Sequence, residues 1–247
     1  MPNIYETDKL LSEYLLFHYG SDAEILGERA GNPALSSALG FPVRTASRFT
    51  PGEVARGLDL GCAVGRSTYE MSRNCAEVTG VDFSASFVSA AETLRDGHSL
   101  RYARLEEAAV SIGLVAQAPE GIDPARVRFE TGDAMDLRAD LGSFDRVHAA
   151  NLLCRLPEPR RLIDRLPDLV HPGGELVLAT PCTWLADFTP PENWPPGSTF
   201  DWLQDSLSPA FELLHAQDEP FLIRETARKF QFTFSLLTLW RRKRKPV

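Results

Sequence analysis

Short apolar segments that end in Asp, Gly or Asn, and that alternate with helical segments, constrain the fold of this chain more than any other feature. The strands that this pattern predicts are Arg56–Leu60, Glu77–Val81, Val127–Thr131, Phe144–Ala150 and Glu175–Thr180. Helices are expected at 64–74 and at 85–95, the second capped by Ser84. Strands that alternate with helices pair in parallel through right-handed crossovers. The chain is therefore predicted to be α/β, with a doubly wound sheet whose ligands bind beyond the carboxyl ends of the strands.

The C-terminal region predicts two further strands, at Phe211–Gln217 and at 231–240, the second with apolar residues at every other position. The loop that we expect between them, over 218–230, is too short for a parallel crossover, so the pair must be antiparallel. The predicted architecture is a seven-stranded, mostly parallel, Rossmann-like sheet with its last strand antiparallel. This is the architecture of class I methyltransferases, and it makes 1–247 a single domain.

Within that domain, residues 1–50 form a predicted helical cap, 51–180 the ligand-binding core, and 181–247 an insert followed by the antiparallel pair. The N-terminal helix has Asn3 as its expected cap, with Glu6 completing a capping box, and it ends at Gly20. Residues 21–42 are predicted to form a loop, because Gly and Pro recur there.

Two inserts interrupt the alternation of strands and helices. Residues 98–124 predict an additional helix before the third strand. Residues 181–200, rich in Pro and Trp, leave the carboxyl end of a strand. The second insert is therefore a predicted lid over the ligand site.

Charge and composition exclude several classes of function. The net charge of −8 disfavours nucleic acid as a partner, and the basic run over 241–245 is interpreted as a solvated tail. No apolar run reaches the roughly 20 residues of a membrane span, and Met1–Lys9 lacks the apolar segment of a signal peptide. The four cysteines form no CxxC pair, which favours a reducing, cytoplasmic location. No group of side chains has metal-ligand spacing, so no metal is expected.

The segment Asp59–Ser67 is the strongest motif in the chain. It joins a strand to a helix, and Gly61 and Gly65 permit a sharp turn against a ligand. The spacing does not fit the dinucleotide pattern GxGxxG. It resembles motif I of methyltransferases, with Ala63 in place of the usual middle glycine. The motif therefore favours S-adenosylmethionine (SAM) over NAD.

Polar residues at the ends of the next strands complete the predicted SAM site. Asp82, 23 residues after Asp59, is placed to accept the ribose hydroxyls, a role that serves NAD equally well. Resemblance to class I methyltransferases implies that Asp133 meets the adenine amino group and that Asn151 lies at the floor of the methyl-transfer site. Phe83 is a possible cover for the adenine or a core residue. The predicted cofactor residues are Asp59, Gly61, Cys62, Ala63, Gly65, Asp82, Phe83, Asp133, Ala134 and Asn151.

Several segments are similar to a more specific family, the 4-mercaptohistidine (5-thiohistidine) N1-methyltransferases of ovothiol biosynthesis, in their stand-alone form. They are Tyr5–Leu10, Glu13–Gly20, Phe41–Arg44, Asp59–Ser67, Ala149–Pro157, Pro220–Glu225 and Ala227–Gln231. The resemblance covers nearly the whole chain. It implies that SAM methylates one imidazole nitrogen of 5-thiohistidine to give ovothiol A.

A small zwitterionic acceptor requires a cation to bind its carboxylate and a pocket that matches its shape. The predicted substrate-binding residues are Arg44, Tyr19, Trp184, Arg224 and Lys229, the three cations being offered to the acceptor carboxylate. Asn151, His18 and Tyr14 are the predicted catalytic residues, with His18 as a proton relay; His18 and Tyr14 also suit the core. The alternatives that remain open are a different small acceptor, or a non-catalytic SAM-binding protein. A monomer and a homodimer are both compatible with the sequence.

Overall fold

A computed structural model describes residues 4–244 and contains nine strands. They are β1 Val54–Leu60, β2 Cys75–Asp82, β3 Leu100–Glu107, β4 Val110–Ala116, β5 Val127–Thr131, β6 Phe144–Ala150, β7 Val170–Thr180, β8 Phe211–Arg224 and β9 Phe230–Arg242. Seven strands form one sheet in the order β5-β2-β1-β6-β7-β9-β8, and β3 pairs with β4 alone. Within the large sheet β9 runs antiparallel to both of its neighbours, while β5, β2, β1, β6 and β7 pair in parallel. The predicted fold class is confirmed.

The helices flank the sheet and its edge. They are α1 Asp8–Tyr19, α2 Asp22–Leu26, α3 Pro33–Ser36, α4 Phe41–Ala46, α5 Arg66–Met71, α6 Ala85–Arg95, α7 Pro159–Leu169 and α8 Thr199–Leu207. Helix α6 has the predicted bounds and the predicted cap, because the Ser84 hydroxyl accepts a hydrogen bond from the Phe87 amide at 3.2 Å. Helix α5 is shorter than expected, since the glycine-rich turn extends to Gly65.

Three groups of buried side chains anchor these layers. Helix α7 presents Leu162, Ile163, Leu166 and Leu169 at helical spacing to one cluster, which also contains Trp240. A second cluster joins α1, α2 and α6, and a third lies beneath α4 and includes Phe221 of β8. The N-terminal helices are therefore packed into the core and do not form an independent appendage.

Residues 98–124 correct one prediction: they hold the β3–β4 hairpin in place of a helix. The sequence around Arg104–Ala109 has helix-forming composition, but Leu100 to Glu107 pairs with Val110 to Ala116 across a tight turn at Ala108. Valine and isoleucine in the second strand favour the pleated arrangement, so cross-strand packing overrides local propensity. The hairpin packs against α1.

The N-terminal cap differs from the prediction in two places. Helix α1 is capped by Thr7, and Glu6 instead accepts hydrogen bonds from the Ala85 and Ser86 amides at the start of α6. Asn3 lies outside the described residues. The predicted loop over 21–42 contains short helices, the first closed by a capping box between Ser21 and Glu24.

The basic segment near the C-terminus is largely built into the sheet, which corrects the prediction of a solvated tail. Arg241 pairs with Glu175 at 2.9 Å, and Arg242 donates to the Ala210 carbonyl at 2.8 Å. Lys243 donates to the Ser208 carbonyl at 2.6 Å, whereas Lys245 lies outside the described residues. These side chains therefore bind the end of β9 to residues of β7 and of the segment before β8. Within 4–244, no helix is long and apolar enough to cross a membrane.

Candidate active site

The turn after β1 is shaped by three residues with positive φ. Gly61 has φ +68°, Ala63 +48° and Gly65 +91°. A Cβ at Gly65 would lie 2.7 Å from Cζ of Phe129, closer than any real contact. Glycine at that position is therefore required both by the backbone conformation and by the packing behind the turn.

Asp59 is part of a buried network beneath this turn. Its carboxylate accepts hydrogen bonds from Ser67 at 2.7 Å and Thr68 at 2.6 Å, and it meets Nδ1 of His148 at 2.7 Å. Nε2 of His148 lies 3.0 Å from the Thr45 hydroxyl of α4. Because Asp59 is 1% exposed and surrounded by these partners, it braces the turn from inside and joins it to the N-terminal cap.

Asp82 supports the turn from the end of β2. Its carboxylate accepts from the Ala63 amide at 2.8 Å and from the Ser84 amide at 2.9 Å. Burial raises its pKa against the lowering effect of those two amides. Phe83, the next residue, is 65% exposed. At the end of β5 Asp133 accepts from the Met135 amide at 2.8 Å, and Ala134 is buried behind it.

This edge has the properties that a nucleoside with a charged amino-acid tail requires. Asp82 has carboxylate lone pairs beyond those used by two amides, which suits ribose hydroxyls. Gly61 is partly exposed at the start of the turn, and the ring of Phe83, the residue after Asp82, is exposed. Nδ1 of His18 is buried without a hydrogen-bond partner in the described structure, so α1 offers the site an unused polar atom. The residues present therefore fit SAM.

Helix α1 forms a wall of this site through three aromatic residues. The Tyr19 hydroxyl donates to the Val64 carbonyl of the glycine-rich turn at 2.6 Å, and Tyr14 packs on Phe87 with ring centroids 4.7 Å apart. His18 lies beside Tyr14 at a centroid distance of 5.9 Å. Tyr14, His18 and Tyr19 are thus brought together, with Tyr19 already committed to the turn.

Burial decides the protonation of these groups. It lowers the pKa of His18 to about 3, although Asp59 acts in the opposite direction, so the ring is neutral at pH 7 and a weak base. Burial also raises the pKa of Tyr14, which keeps the phenol protonated. Both side chains therefore enter the site as neutral hydrogen-bonding groups.

Asn151 lies at the end of β6 with φ +55°. Its amide nitrogen donates to the Ala179 carbonyl at 2.7 Å, and its side-chain Oδ1 accepts from the Ser235 hydroxyl of β9 at 2.6 Å. Ser235 is fully buried. Since Oδ1 is occupied, the Nδ2 hydrogens are the side-chain group that Asn151 retains for a ligand.

The three cations predicted to hold an acceptor carboxylate are engaged with protein carboxylates. Arg44 pairs with Glu219, Arg224 pairs with Glu106 at 2.8 Å, and Lys229 pairs with Glu225 at 2.6 Å. The Arg224 side chain is 3% exposed, and it also donates to the Ile25 carbonyl. It lies within β8, since the strand extends to that residue and the predicted loop over 218–230 shortens to 225–229. These ion pairs engage all three cations with protein carboxylates, and their role in binding the acceptor carboxylate stays a prediction.

The insert at 181–200 is pinned to the body of the protein. The Trp184 indole donates to the Thr199 hydroxyl at 2.9 Å and packs edge-on against Trp202. The Thr189 hydroxyl donates to the Leu156 carbonyl at 2.7 Å. Trp184 therefore contributes to the packing of the insert against α8, whereas Phe188 reaches Tyr5 at a centroid distance of 6.5 Å.

Four residues at this edge escaped the sequence analysis. They are Tyr5, His148, Arg155 and Ser235. His148 and Ser235 sit at interior positions of strands and gave no local signal, because their partners come from distant elements. Tyr5 and Arg155 fall within segments that carry the family resemblance, which was the one available signal. In residues 4–244 no group of three or more His, Cys, Asp or Glu side chains is placed to hold a metal.

Comparison with known proteins agrees with the geometry. Residues 58–178 match the family described as a methyltransferase domain. An O-methyltransferase, cnsE, of Penicillium expansum is 27% identical over 69% of this chain and 52% of its own length. The ubiquinone biosynthesis O-methyltransferase of Xanthomonas axonopodis pv. citri (strain 306) is 32% identical over 51% of this chain and 43% of its own length. The chain thus spans about half the length of these curated relatives.

A solved structure supports the fold. The N-methyltransferase NodS from Bradyrhizobium japonicum WM9 superposes with a TM-score of 0.54 at 16% identity, covering 82% of this chain and 93% of its own. That likeness concerns the architecture of the sheet. Together with this fold, the family match indicates that residues 58–178 form the core of a class I methyltransferase domain whose cofactor is SAM.

Proposed function

We propose that the protein methylates an imidazole nitrogen of 5-thiohistidine, giving ovothiol A. The observation that carries the proposal is that segments sharing the family resemblance, far apart in sequence, pack against one another. Phe17, Phe41 and Phe221 come from three of these segments, with ring centroids 5.1–6.3 Å apart. Their similarity thus describes one connected region beside the SAM edge.

The reaction depends mainly on how the acceptor is positioned relative to the methyl group. Bound SAM supplies an electrophilic methyl group on a sulfonium centre. The acceptor sulfur is a better nucleophile than its ring nitrogen, so the protein must present the nitrogen in line and turn the sulfur away. A donor such as the Asn151 amide, held by Ser235, can fix one edge of the ring. The protonated Tyr14 phenol can donate a second hydrogen bond.

The attacking nitrogen must carry a lone pair when methyl transfer occurs. Because His18 has a pKa of about 3, it is poorly suited to remove a proton from an imidazole at neutral pH. The proposal therefore assigns the choice of nitrogen to binding of the tautomer with the lone pair already in place. His18 would contribute a neutral wall to the site.

A second candidate function is methylation of another small acceptor. The two relatives described above are O-methyltransferases, and they align over 69% and 51% of this chain. Under this alternative the cofactor residues keep their roles, and only the region formed by α1, the insert and the β8–β9 loop contacts a different compound.

A methylation assay decides between the two. Purified protein with SAM is offered 5-thiohistidine, histidine and ergothioneine, products are detected by mass spectrometry, and the methyl is located by NMR. We expect one added methyl on a ring nitrogen of 5-thiohistidine alone. An inert 5-thiohistidine, together with measured SAM binding and turnover of a phenol or another acceptor, would contradict the proposal. The variant Asp82→Asn serves as the control that removes cofactor-dependent product.

A further inference from the structure

Arg155 is an arginine at the carboxyl edge of the sheet whose charge is not neutralised by a neighbouring carboxylate. It ends the short 3₁₀ turn Leu153–Arg155, four residues beyond Asn151, and its side chain is half-buried. Among residues 4–244 no Asp or Glu oxygen lies within ion-pair distance of it. Arg44, Arg224 and Lys229, the cations expected here, are each paired with a glutamate.

Arg155 makes only weak contacts with the backbone carbonyls around it. Its Nη1 lies 3.4 Å from the Cys154 carbonyl and 3.4 Å from the Thr183 carbonyl, both long for a hydrogen bond. The guanidinium rests on the ring of Phe188 at 4.6 Å from the centroid. One face is therefore covered by an aromatic ring, while the N–H edge has two long contacts to backbone carbonyls and a side-chain hydrogen bond with Tyr5, none of which supplies a carboxylate.

The surroundings place this guanidinium at the junction of three segments that border the site. Thr183 and Phe188 belong to the insert, and Tyr5 belongs to the N-terminal segment. Burial raises the pKa of Tyr5, while the positive charge of Arg155 lowers it and the negative charge of Asp82 raises it. Tyr5 joins Arg155 to the predicted cofactor edge, because its backbone carbonyl accepts a hydrogen bond from the Ser84 hydroxyl at 3.1 Å, two residues beyond Asp82.

We propose that Arg155 binds the carboxylate of the acceptor. A planar guanidinium offers parallel N–H donors that match a carboxylate, and a pair of short charge-assisted bonds would replace the long contacts to backbone carbonyls. The acceptor class is then an amino acid or another small carboxylic acid. This proposal rests on the proposed function, because it assumes that the acceptor is a zwitterion. Its contacts with the insert favour the acceptor over the second possible carboxylate, that of SAM.

The test compares two acceptors that differ only in the carboxylate. Wild-type protein, Arg155→Gln and Arg155→Lys are assayed with 5-thiohistidine and with its decarboxylated analogue, 5-thiohistamine. Arg101→Gln is the matched control, because Arg101 is an exposed arginine with no ion pair among the described residues. SAM affinity is measured separately by calorimetry, and thermal melts check that each variant is folded.

We expect Arg155→Gln to lower kcat/KM for 5-thiohistidine about 10- to 100-fold, the usual worth of hydrogen bonds to a charged group. The decarboxylated analogue should be turned over equally well by wild type and variant, and Arg155→Lys should recover part of the loss. Equal losses with both acceptors would overturn the proposal and assign Arg155 to packing of the insert. A loss confined to SAM affinity would overturn it by assigning the carboxylate to the cofactor.

Failure of the proposed function would look different. Wild type would then leave 5-thiohistidine unmethylated while turning over another compound. The same pair of measurements, made with that compound and its carboxylate-free analogue, would still support or overturn the role of Arg155.

Discussion

The two sides of the active site are built in different ways. On the cofactor side, two of the predicted carboxylates lie at or next to strand ends and accept from backbone amides: Asp82 accepts from the Ala63 and Ser84 amides, and Asp133 accepts from the Met135 amide. On the acceptor side, contacts join distant parts of the chain, such as Asn151 with Ser235. Local patterns therefore suffice to predict that Asp82 and Asp133 lie at strand ends, whereas the contact of Asn151 with Ser235 depends on tertiary packing.

The largest expected effect concerns Gly65, which tests how tightly the turn after β1 is packed on the cofactor side. Gly65→Ala adds a Cβ 2.7 Å from the buried Phe129 ring at φ +91°. We expect the free energy of unfolding to fall by about 3 kcal/mol, from crowding and backbone strain together. Gly97→Ala is the matched control, with φ +83° and nothing within 4 Å, and should cost about 1 kcal/mol. If urea titrations showed the same loss of unfolding free energy for both variants, packing against Phe129 would not explain the effect at Gly65.

Asp59 and Asp82 sharpen the same comparison. Asp82→Asn removes the charge that faces the nucleoside, so we expect SAM affinity to fall about 10- to 100-fold by calorimetry. Asp59→Asn disrupts a buried network instead, and we expect its main effect in thermal unfolding. A normal melting temperature for Asp59→Asn with weakened SAM binding would contradict the assignment of Asp59 as a brace.

The smallest expected effect concerns pH and the wall formed by α1. His18 has a folded pKa of about 3, below its unfolded value, so between those values the unfolded chain binds one more proton. Stability should fall as pH drops below about 6.5, by up to about 1.4 kcal/mol per pH unit from this residue. His18→Gln should show a shallower fall than wild type in urea titrations between pH 7 and 5. Parallel curves would mean that folding leaves the pKa of His18 unchanged, and would contradict its lowered value in the folded protein.

Sequence patterns predicted the large sheet well, because alternation of strands and helices is a local signal. The strands Val127–Thr131 and Phe144–Ala150 match their predicted bounds. The hairpin at 100–116 was predicted as a helix, since the composition of Arg104–Ala109 favours one. The roles of Arg224 and Arg155 were equally hidden. Whether a cation is free depends on which carboxylate folds against it, and Glu106, the partner of Arg224, comes from that same hairpin.

The position of β9 has a consequence for how the protein is assembled during synthesis. β9 lies between β7 and β8, although it is the last of the three to leave the ribosome. Until it emerges, β8 has no neighbouring strand in the sheet, so its backbone hydrogen-bonding groups lack their partners. A stall before residue 230 would leave this strand unpaired and prone to aggregation. Ser235 arrives on the same strand, so the acceptor side matures at the moment the sheet closes.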